Sequence, residues 1–367
     1  MVSPIEQLRK EGQSVWLDYI RRDLITSGEM ERMVRDGWIT GMTSNPTIFQ
    51  KAIAGSDVYD AALHQLARSG ERNAYEAFLS LAGEDIRGAA DVLRVVYDRT
   101  QGRDGYISLE APPGIEHEAE KTVAEVRRLF ALVDRPNVMI KVPGTQAGIQ
   151  AVAPLIAGGI NINITLLFAA AVYEQVAAAY ITGLERRLEA GQPVSDVASV
   201  ASFFVSRVDT KVDAQLSDGS PLRGTVAVAN ARLAYKRFQE IFAGPRWEKL
   251  AEAGARVQRP LWGSTGTKNP DYSDVLYVDE LIAPDTVNTM PEATLRAFID
   301  HGQARPSILE GLAAAEETLR QAADAGIDLQ TVTDQLLDEG LTSFADDFDR
   351  LLGQIGNTLT ELREVSA

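Results

Sequence analysis

Short apolar runs rich in β-branched and aromatic residues recur along the chain, and longer segments with a helical period separate them. In these segments apolar residues return every three or four positions, as at Val126, Leu129 and Val133, which is typical of a helix with one buried face. We predict eight strands: SVWLDYI (14 to 20), WITGMTSN (38 to 45), GYISLE (105 to 110), NVMIKV (137 to 142), GININI (159 to 164), VASVASFFV (197 to 205), RVQRPLWGS (256 to 264) and VLYVDELI (275 to 282).

This alternation of strands and helices implies a parallel sheet. Eight such units in succession favour an α/β fold of the closed (β/α)8 TIM-barrel type, although the pattern alone leaves an open doubly wound sheet possible. Residues 47 to 104 have a helical pattern and exceed the length of one βα unit, so we expect a helical insertion after strand 2. The chain turns helical after Pro284, and we expect C-terminal helices at about 291 to 367. We therefore expect residues 1 to 367 to form a single domain.

Composition narrows the class of protein. The chain has 367 residues, no cysteine and a net charge of -16, which argues against disulfide frameworks, thiolate metal sites, nucleic-acid partners and anionic membranes. It shows no apolar signal segment, and no apolar run approaches the roughly 18 residues of a membrane helix. We expect a soluble, cytoplasmic monomer or homodimer, and we interpret the glycosylation sequon at Asn163 as accidental.

Polar residues lie at or just beyond the ends of the apolar runs. In a parallel barrel the active-site groups come from the C-terminal ends of the strands, so these side chains are expected to converge on one mouth although they are far apart in sequence. The residues concerned are Asp18, Asn45, Glu110, Lys141, Asn163, Thr165 and Ser202, with Arg207 just beyond the sixth run.

Lys141 lies in an apolar run that ends in a glycine-bearing turn. Burial disfavours the ammonium form of a lysine, and a neutral amine can attack a ketone to form a Schiff base that permits carbon-carbon cleavage. Asp18 and Glu110 are carboxylates in apolar contexts, which suits acid and base work. The alternative is structural, with Lys141 paired to Asp18 or Glu110, and this stretch alone favours it.

The other candidates also have two interpretations. Asn45 can be a turn residue before a proline, and Asn163 and Thr165 can cap the following helix. Arg207 and Lys268 are candidates for anion binding, the latter in a Gly, Ser and Thr loop after the seventh run, but this loop lacks the G-K-[ST] of a P-loop. The three histidines are isolated, and the sequence predicts no metal site.

Five stretches together resemble the transaldolase family, specifically its longer bacterial and plant-like branch. They match in order as well as in content, and the resemblance runs from about Ser14 to about Pro291. The resemblance implies a cofactor-free transferase that moves a dihydroxyacetone unit from a ketose phosphate to an aldose phosphate in the non-oxidative pentose phosphate pathway. The stretches are SVWLDYI, GMTSNPTIF, NVMIKVPGTQAGI, GININITLLF and SFFVSRVD.

The resemblance also implies a role for each site residue. Lys141 is the implied Schiff-base nucleophile, Asp18 the proton carrier for bond cleavage, and Glu110 and Thr165 the residues that position a water. The implied ligands of the three-carbon unit are Asn45, Asn163 and Ser202, with Phe204 as an apolar wall and Arg207 at the phosphate.

The loop after the seventh run departs from the family. Much of the family has an arginine in a Ser-Phe-Arg-Asn setting, whereas this chain has GSTGTKN. We assign the phosphate role to Lys268, with Ser264 as a further substrate ligand. Lysine binds phosphate as a point charge, so phosphate discrimination is expected to be looser.

Three other functions fit parts of this pattern. An aldolase of the same superfamily releases free dihydroxyacetone, and it is distinguished by product formation without an acceptor. A non-catalytic sugar-phosphate binding barrel forms no covalent adduct. A pyridoxal phosphate enzyme also uses a lysine imine, but it carries a visible absorbance band.

Overall fold

The computed structural model describes residues 3 to 366. Its eight strands form a closed barrel in chain order, and every neighbouring pair is parallel. The prediction of a (β/α)8 barrel is therefore confirmed. The strands are β1 (Gln13–Asp18), β2 (Gly41–Thr43), β3 (Ile107–Glu110), β4 (Val138–Pro143), β5 (Ile162–Leu167), β6 (Ser199–Phe204), β7 (Arg259–Gly263) and β8 (Thr286–Met290).

Helices surround this barrel and extend it. Between β2 and β3 the chain forms α4, a short 3-10 helix (Asp57–Tyr59), α5 and the long α6, so the predicted helical insertion is present. The helices are α1 (Pro4–Lys10), α2 (Arg22–Thr26), α3 (Glu29–Arg35), α4 (Pro46–Ala54), α5 (Asp60–Arg68), α6 (Ala74–Arg99), α7 (Ala119–Val133), α8 (Gln146–Ala157), α9 (Ala170–Glu189), α10 (Ser206–Asp213), α11 (Val226–Ile241), α12 (Pro245–Glu252), α13 (Leu276–Asp279), α14 (Glu292–His301), α15 (Ser307–Asp324) and α16 (Leu329–Ser366).

The eighth strand was predicted in the wrong place. The run at 275 to 282 contains the short helix α13, and the strand is the more polar segment Thr286–Met290 beyond Pro284, where we expected helix. This segment pairs with β7 on one side and β1 on the other, with Val287 opposite both Leu261 and Ser14. Closure of the barrel supplies these partners, and such tertiary pairing overrides the local strand preference of an apolar run.

Alternation along the strands separates the barrel interior into layers. A buried apolar cluster inside the barrel includes Trp16, Met139 and Val200. Because side chains two positions apart share a face of a strand, Asp18, Lys141 and Ser202 lie on the same inner faces, one layer nearer the C-terminal mouth.

The inner layer is closely packed. A Cβ added at Gly41 would lie 2.4 Å from the indole nitrogen of Trp16, so only glycine leaves room for this ring. Trp16 is completely buried, and its Nε1 donates to Asp104 Oδ1 at 2.8 Å. The interior below the mouth is therefore filled by side chains and forms a floor for the polar layer.

The last helix, α16, packs against α4, α5 and α6 of the insertion and against α10 at the barrel. Val332, Leu336, Phe344 and Phe348 of this helix are buried. This helix thus joins the helical insertion to the mouth of the barrel. Among the described residues, no helix is both long enough and apolar enough to span a membrane.

Candidate active site

Strand register brings the predicted polar residues to one end of the barrel. Glu110 of β3 is directly opposite Lys141 of β4, and Lys141 is opposite Asn163 of β5. Asp18 is the last residue of β1, and Ser202 of β6 contacts Asn163 through a hydrogen bond. Residues that are up to 184 positions apart in sequence therefore line one mouth, as the sequence predicts.

Lys141 is the central cation of this group. The residue is only 4% exposed, and its Nζ lies 2.8 Å from Glu110 Oε2 and 3.1 Å from the backbone carbonyl oxygen of Ser44. Met139 and Tyr106 occupy the inner layer below it. A primary amine held at this depth is shielded from bulk water and has a fixed direction, which are the requirements for an amine that attacks a bound ketone.

Asp18 is the second carboxylate of the mouth. Its Oδ1 accepts a hydrogen bond of 2.7 Å from Thr43 Oγ1, and the Thr43 hydroxyl in turn contacts Thr289 Oγ1 at 2.6 Å. Burial raises the pKa of Asp18 above its ordinary value, while the Thr43 hydrogen bond and the charges of Lys141, Lys268 and Arg207 act in the opposite direction. A carboxyl group with a raised pKa can both accept and return a proton near neutral pH.

Glu110 is buried, with its side chain 8% exposed. Burial raises the pKa of Glu110 and the nearby negative charge of Asp18 adds to this, whereas Lys141 lowers it. The two carboxylates therefore lie in different surroundings: Asp18 has a hydroxyl donor, and Glu110 has the lysine. Such asymmetry is how one site divides acid and base work between two carboxyl groups.

Thr165 lies inside β5 and is completely buried. Its Oγ1 has no hydrogen-bond partner among the described residues, so this hydroxyl is available to a water or a substrate hydroxyl. The pairing of β5 with β6 shifts register between Ile164 and Leu167, and Leu166 adopts a φ of 58°. A bulge of this kind re-aims side chains and is frequent beside active sites.

Of the three residues that could instead cap a helix, one does so and two do not. Asn45 is the N-cap of α4, where its Oδ1 accepts from the Ile48 amide at 2.9 Å. Asn163 and Thr165 lie within β5 and α9 begins only at Ala170, so neither of them caps that helix.

Asn163 is hydrogen-bonded to two neighbouring side chains inside the barrel. Its Nδ2 donates to Ser108 Oγ at 3.1 Å, and its Oδ1 accepts from Ser202 Oγ at 2.6 Å. The residue is fully buried. It therefore cannot be glycosylated in the folded chain, and its amide fixes the position of the Ser202 hydroxyl.

Arg207 lies in the first turn of α10, just beyond β6. The guanidinium carbon is 5.4 Å from the centre of the Phe204 ring, which in turn packs edge-on against Phe168. Burial lowers the pKa of Arg207 below its ordinary value, and the charges of Glu339 and Asp18 oppose this. No carboxylate among the described residues forms an ion pair with this half-buried guanidinium, so its donors are available to a phosphate.

The loop after β7 closes this side of the mouth. Ser264 adopts a φ of 53°, and its hydroxyl contacts Ser206 Oγ at 2.9 Å. Lys268 is exposed, yet its charge reaches Asp18 and lowers the pKa of that carboxyl. Ser264 thus contacts the residue before Arg207, and Lys268 lies near enough to Asp18 for their charges to interact.

Helix α16 crosses above these groups. A Cβ at Gly340 would lie 2.9 Å from Leu166 Cδ2 and 3.6 Å from Arg207 Nη1, so the small residue permits a close approach. Glu339 forms an ion pair with Lys211, one turn beyond Arg207 on α10. Leu341 and Phe344 border a small cavity that Glu110 also lines. The helix therefore covers part of the mouth.

Four residues of the site were missed at the level of sequence. Thr43 and Ser44 lie at the end of the second predicted strand, 38 to 45. The rule that polar residues at strand ends form the site could therefore have identified them. Ser108 is two residues before Glu110 on the same inner face. Thr289 was out of reach because β8 was predicted in the wrong segment. Within the described part of the chain, no group of three or more His, Asp or Glu side chains could hold a metal ion.

Comparisons with known proteins identify the family of the chain. The family model described as Transaldolase/Fructose-6-phosphate aldolase matches residues 15–355. A protein named Transaldolase from Frankia alni is 49% identical over 365 residues, which covers 98% of this chain and 98% of that protein. One named Transaldolase from Acidothermus cellulolyticus is 48% identical and covers 99% of both chains. Another, named Transaldolase 2, from Nostoc sp. is 44% identical over 96% of this chain and 97% of its own length.

Proposed function

The chain belongs to the transaldolase/fructose-6-phosphate aldolase family, and we propose that its barrel mouth transfers a dihydroxyacetone unit through an imine on Lys141. The family and the names of the relatives make the protein a transferase of carbohydrate metabolism that acts on sugar phosphates. The observation that carries the assignment of the nucleophile is the position of the buried Lys141 in the barrel mouth, with Glu110 and Asn163 on the adjacent strands and Asp18 close enough for the two charges to interact. The ion pair with Glu110 is by itself also what a structural lysine would show.

The first step is the attack of the Lys141 amine on C2 of a ketose phosphate, either sedoheptulose 7-phosphate or fructose 6-phosphate. The carbinolamine then loses its C2 oxygen as water and becomes a protonated imine. Glu110 and Thr165 carry the protons through a bound water. The buried hydroxyl of Thr165, which has no hydrogen-bond partner within the described part of the chain, and the ion-pair contact of Glu110 with the nucleophile support these roles.

The second step breaks the bond between C3 and C4. Asp18 takes the proton of the C4 hydroxyl, the aldose phosphate leaves, and the electron pair of the broken bond passes into the imine to form an enamine on Lys141. The acceptor, glyceraldehyde 3-phosphate or erythrose 4-phosphate, receives the enamine carbon and the same proton, which re-forms the imine. Water then adds to this imine, and the new ketose phosphate leaves as Lys141 regains its amine. The raised pKa of Asp18 supports a group that takes up and returns a proton.

Substrate binding is divided between two ends of the site. Asn45, Asn163 and Ser202 hydrogen-bond the hydroxyls of the three-carbon unit. The phosphate lies on the opposite side, against Arg207, with Ser264 and Lys268 as further ligands. The half-buried guanidinium of Arg207, which has no carboxylate partner between residues 3 and 366, supports this orientation.

The test is borohydride reduction in the presence of fructose 6-phosphate, followed by peptide mass mapping. We expect a reduced three-carbon adduct on Lys141 and none in a Lys141→Met variant. Absence of an adduct on any lysine, while ligand binding persists, contradicts the imine mechanism and favours a binding barrel.

Transfer is distinguished from release in a second assay. The enzyme is incubated with fructose 6-phosphate, with and without erythrose 4-phosphate, and free dihydroxyacetone is measured. We expect new ketose phosphate only with the acceptor and little free dihydroxyacetone in either case. Multiple turnovers without the acceptor assign the chain to the dihydroxyacetone-releasing aldolases.

A further inference from the structure

Two cavities lie at the end of the barrel opposite the mouth. One has a volume of about 240 Å³ and is lined in part by Arg103, Arg256 and Arg259. The other has a volume of about 300 Å³ and is lined in part by Arg9, Arg99 and Arg103. Arg103 borders both, so the two cavities adjoin. We call these five residues the basal arginine cluster.

These arginines come from separate elements that meet at the N-terminal ends of the strands. Arg9 is in the last turn of α1 and Arg99 ends α6. Arg103 precedes β3, Arg256 lies between α12 and β7, and Arg259 is the first residue of β7. The fold thus gathers them at one place, in a chain whose net charge is -16.

Carboxylates neutralise only part of this charge. Arg103 pairs with Asp285 at 2.7 Å, and Arg259 Nη2 lies 3.6 Å from Asp104 Oδ1. Among residues 3 to 366, no carboxylate lies within 4.0 Å of the side-chain nitrogens of the other three arginines. Within the described chain, these five cations and their two paired carboxylates, Asp285 and Asp104, leave a local excess of three positive charges.

Part of this excess positive charge, the guanidinium of Arg256, is held in place by the structure and partly buried. Its Nη2 donates to the backbone carbonyl of Gln101 at 2.6 Å, which fixes the guanidinium. Its Nη1 is buried and has no hydrogen-bond partner among the described residues. A buried charged donor without an acceptor is costly. Arg256 also lines the first cavity, so a rotation of its guanidinium that brings Nη1 to an anion there would remove this cost.

The opposite wall of the first cavity is held in place by a buried network. Arg259 is 6% exposed, and its Nη1 donates to Ser14 Oγ at 2.7 Å. Tyr106, Met139 and Val200 form an apolar surface beside it. Fixed guanidinium groups above an apolar floor resemble a small-anion pocket more closely than a flat surface for a macromolecule.

We propose that the basal arginine cluster is a second anion-binding site, which takes a small dianion of the phosphate class. The ligand is either inorganic phosphate or the phosphate group of a small metabolite. Guanidinium groups bind phosphate oxygens with paired, charge-assisted hydrogen bonds, and two or more of them compensate a dianion. Three excess charges in a concave site suit one phosphate rather than a nucleic-acid backbone.

The test must separate this site from the mouth, which also binds phosphate. The background protein carries Arg207→Gln and Lys268→Gln, which removes the two cations proposed to bind phosphate at the mouth. Inorganic phosphate and glycerol phosphate are titrated by calorimetry at constant ionic strength. We expect binding of one equivalent, weakened about tenfold or more by Arg256→Gln.

A second variant keeps the test valid if Arg256→Gln does not fold. Arg99→Gln combined with Arg103→Gln removes exposed side chains, and it should weaken binding without lowering the melting temperature in ligand-free buffer. The matched control is Arg127→Gln, an exposed arginine on α7 away from both cavities, which should bind as the background does.

The two ligands also identify the source of the anion. Equal affinity for both supports a site that reads the phosphate alone, and tighter binding of glycerol phosphate supports a metabolite that uses the apolar floor. No binding of either ligand in the background protein overturns the proposal. Binding that survives both basal variants unchanged overturns it as well.

Discussion

Replacement of Glu110 by glutamine tests the proposed division of proton work. Glutamine keeps the size and one oxygen of the side chain, so its contact with Lys141 Nζ, now 2.8 Å, can persist. It removes the charge and the ability to carry a proton. Because the side chain is only 8% exposed, bulk water cannot readily replace it.

The expected magnitude follows from two opposing effects. A positioned acid or base contributes at least about 100-fold to proton transfer, or about 2.7 kcal/mol in the barrier. Loss of the carboxylate charge also weakens the contact that holds Lys141 Nζ and so eases its approach to the ketone, an effect of about 1 kcal/mol. The first effect is larger, so we expect imine formation to slow by about 10-fold to 100-fold.

Rapid quenching with borohydride measures this step directly. The enzyme is mixed with fructose 6-phosphate, quenched at timed intervals, and the adduct on the Lys141 peptide is quantified by mass. Glu120→Gln, on the exposed face of α7, is the matched control and should trap at the wild-type rate. Trapping at the wild-type rate in Glu110→Gln refutes the role of Glu110 in imine formation.

Three further predictions concern the other groups of the site and its support. Asp18→Ala should lower turnover by about 10² to 10⁴ while Lys141 still forms an imine with dihydroxyacetone; full turnover in steady-state assays sinks the assignment. Lys268→Ala should raise KM for both sugar phosphates by about tenfold, with a smaller effect on kcat; an unchanged KM removes Lys268 from the site. Asp209 lies on α10, the helix that carries Arg207, and supports it through two hydrogen bonds. Its Oδ1 accepts from the Ala227 amide at 2.7 Å, and its Oδ2 accepts from the Tyr277 hydroxyl at 2.9 Å. Burial raises the pKa of Asp209 from 3.8 to about 7. The folded chain therefore binds the proton of the Asp209 carboxyl more tightly than the unfolded chain does. This binding raises the free energy of unfolding below about pH 4, and the contribution, at most about 4 kcal/mol, is lost as the pH rises to about 7. Asp209→Asn should flatten this pH dependence in urea unfolding, and an unchanged slope contradicts the assignment.

The pattern of residues determined the class of fold and most of the site. Seven of the eight strands were predicted in the right segments because each combines a β-rich apolar run with a helical segment after it. The polar residues at the strand ends followed from one physical rule, that parallel strands of a barrel present their C-terminal ends at one face. Lys141, Asp18 and Glu110 could be placed together without any coordinates.

Contacts between distant segments decided what the local pattern could not. The polar segment Thr286–Met290 becomes a strand only because β7 and β1 pair with it, and Thr289 enters the site with it. The position of α16 over the mouth and the meeting of five arginines at the barrel base depend likewise on how separate elements pack. A sequence records which faces are apolar and which ends are polar, whereas the choice of partner is made by the complete structure, through pairing and burial that no single segment contains.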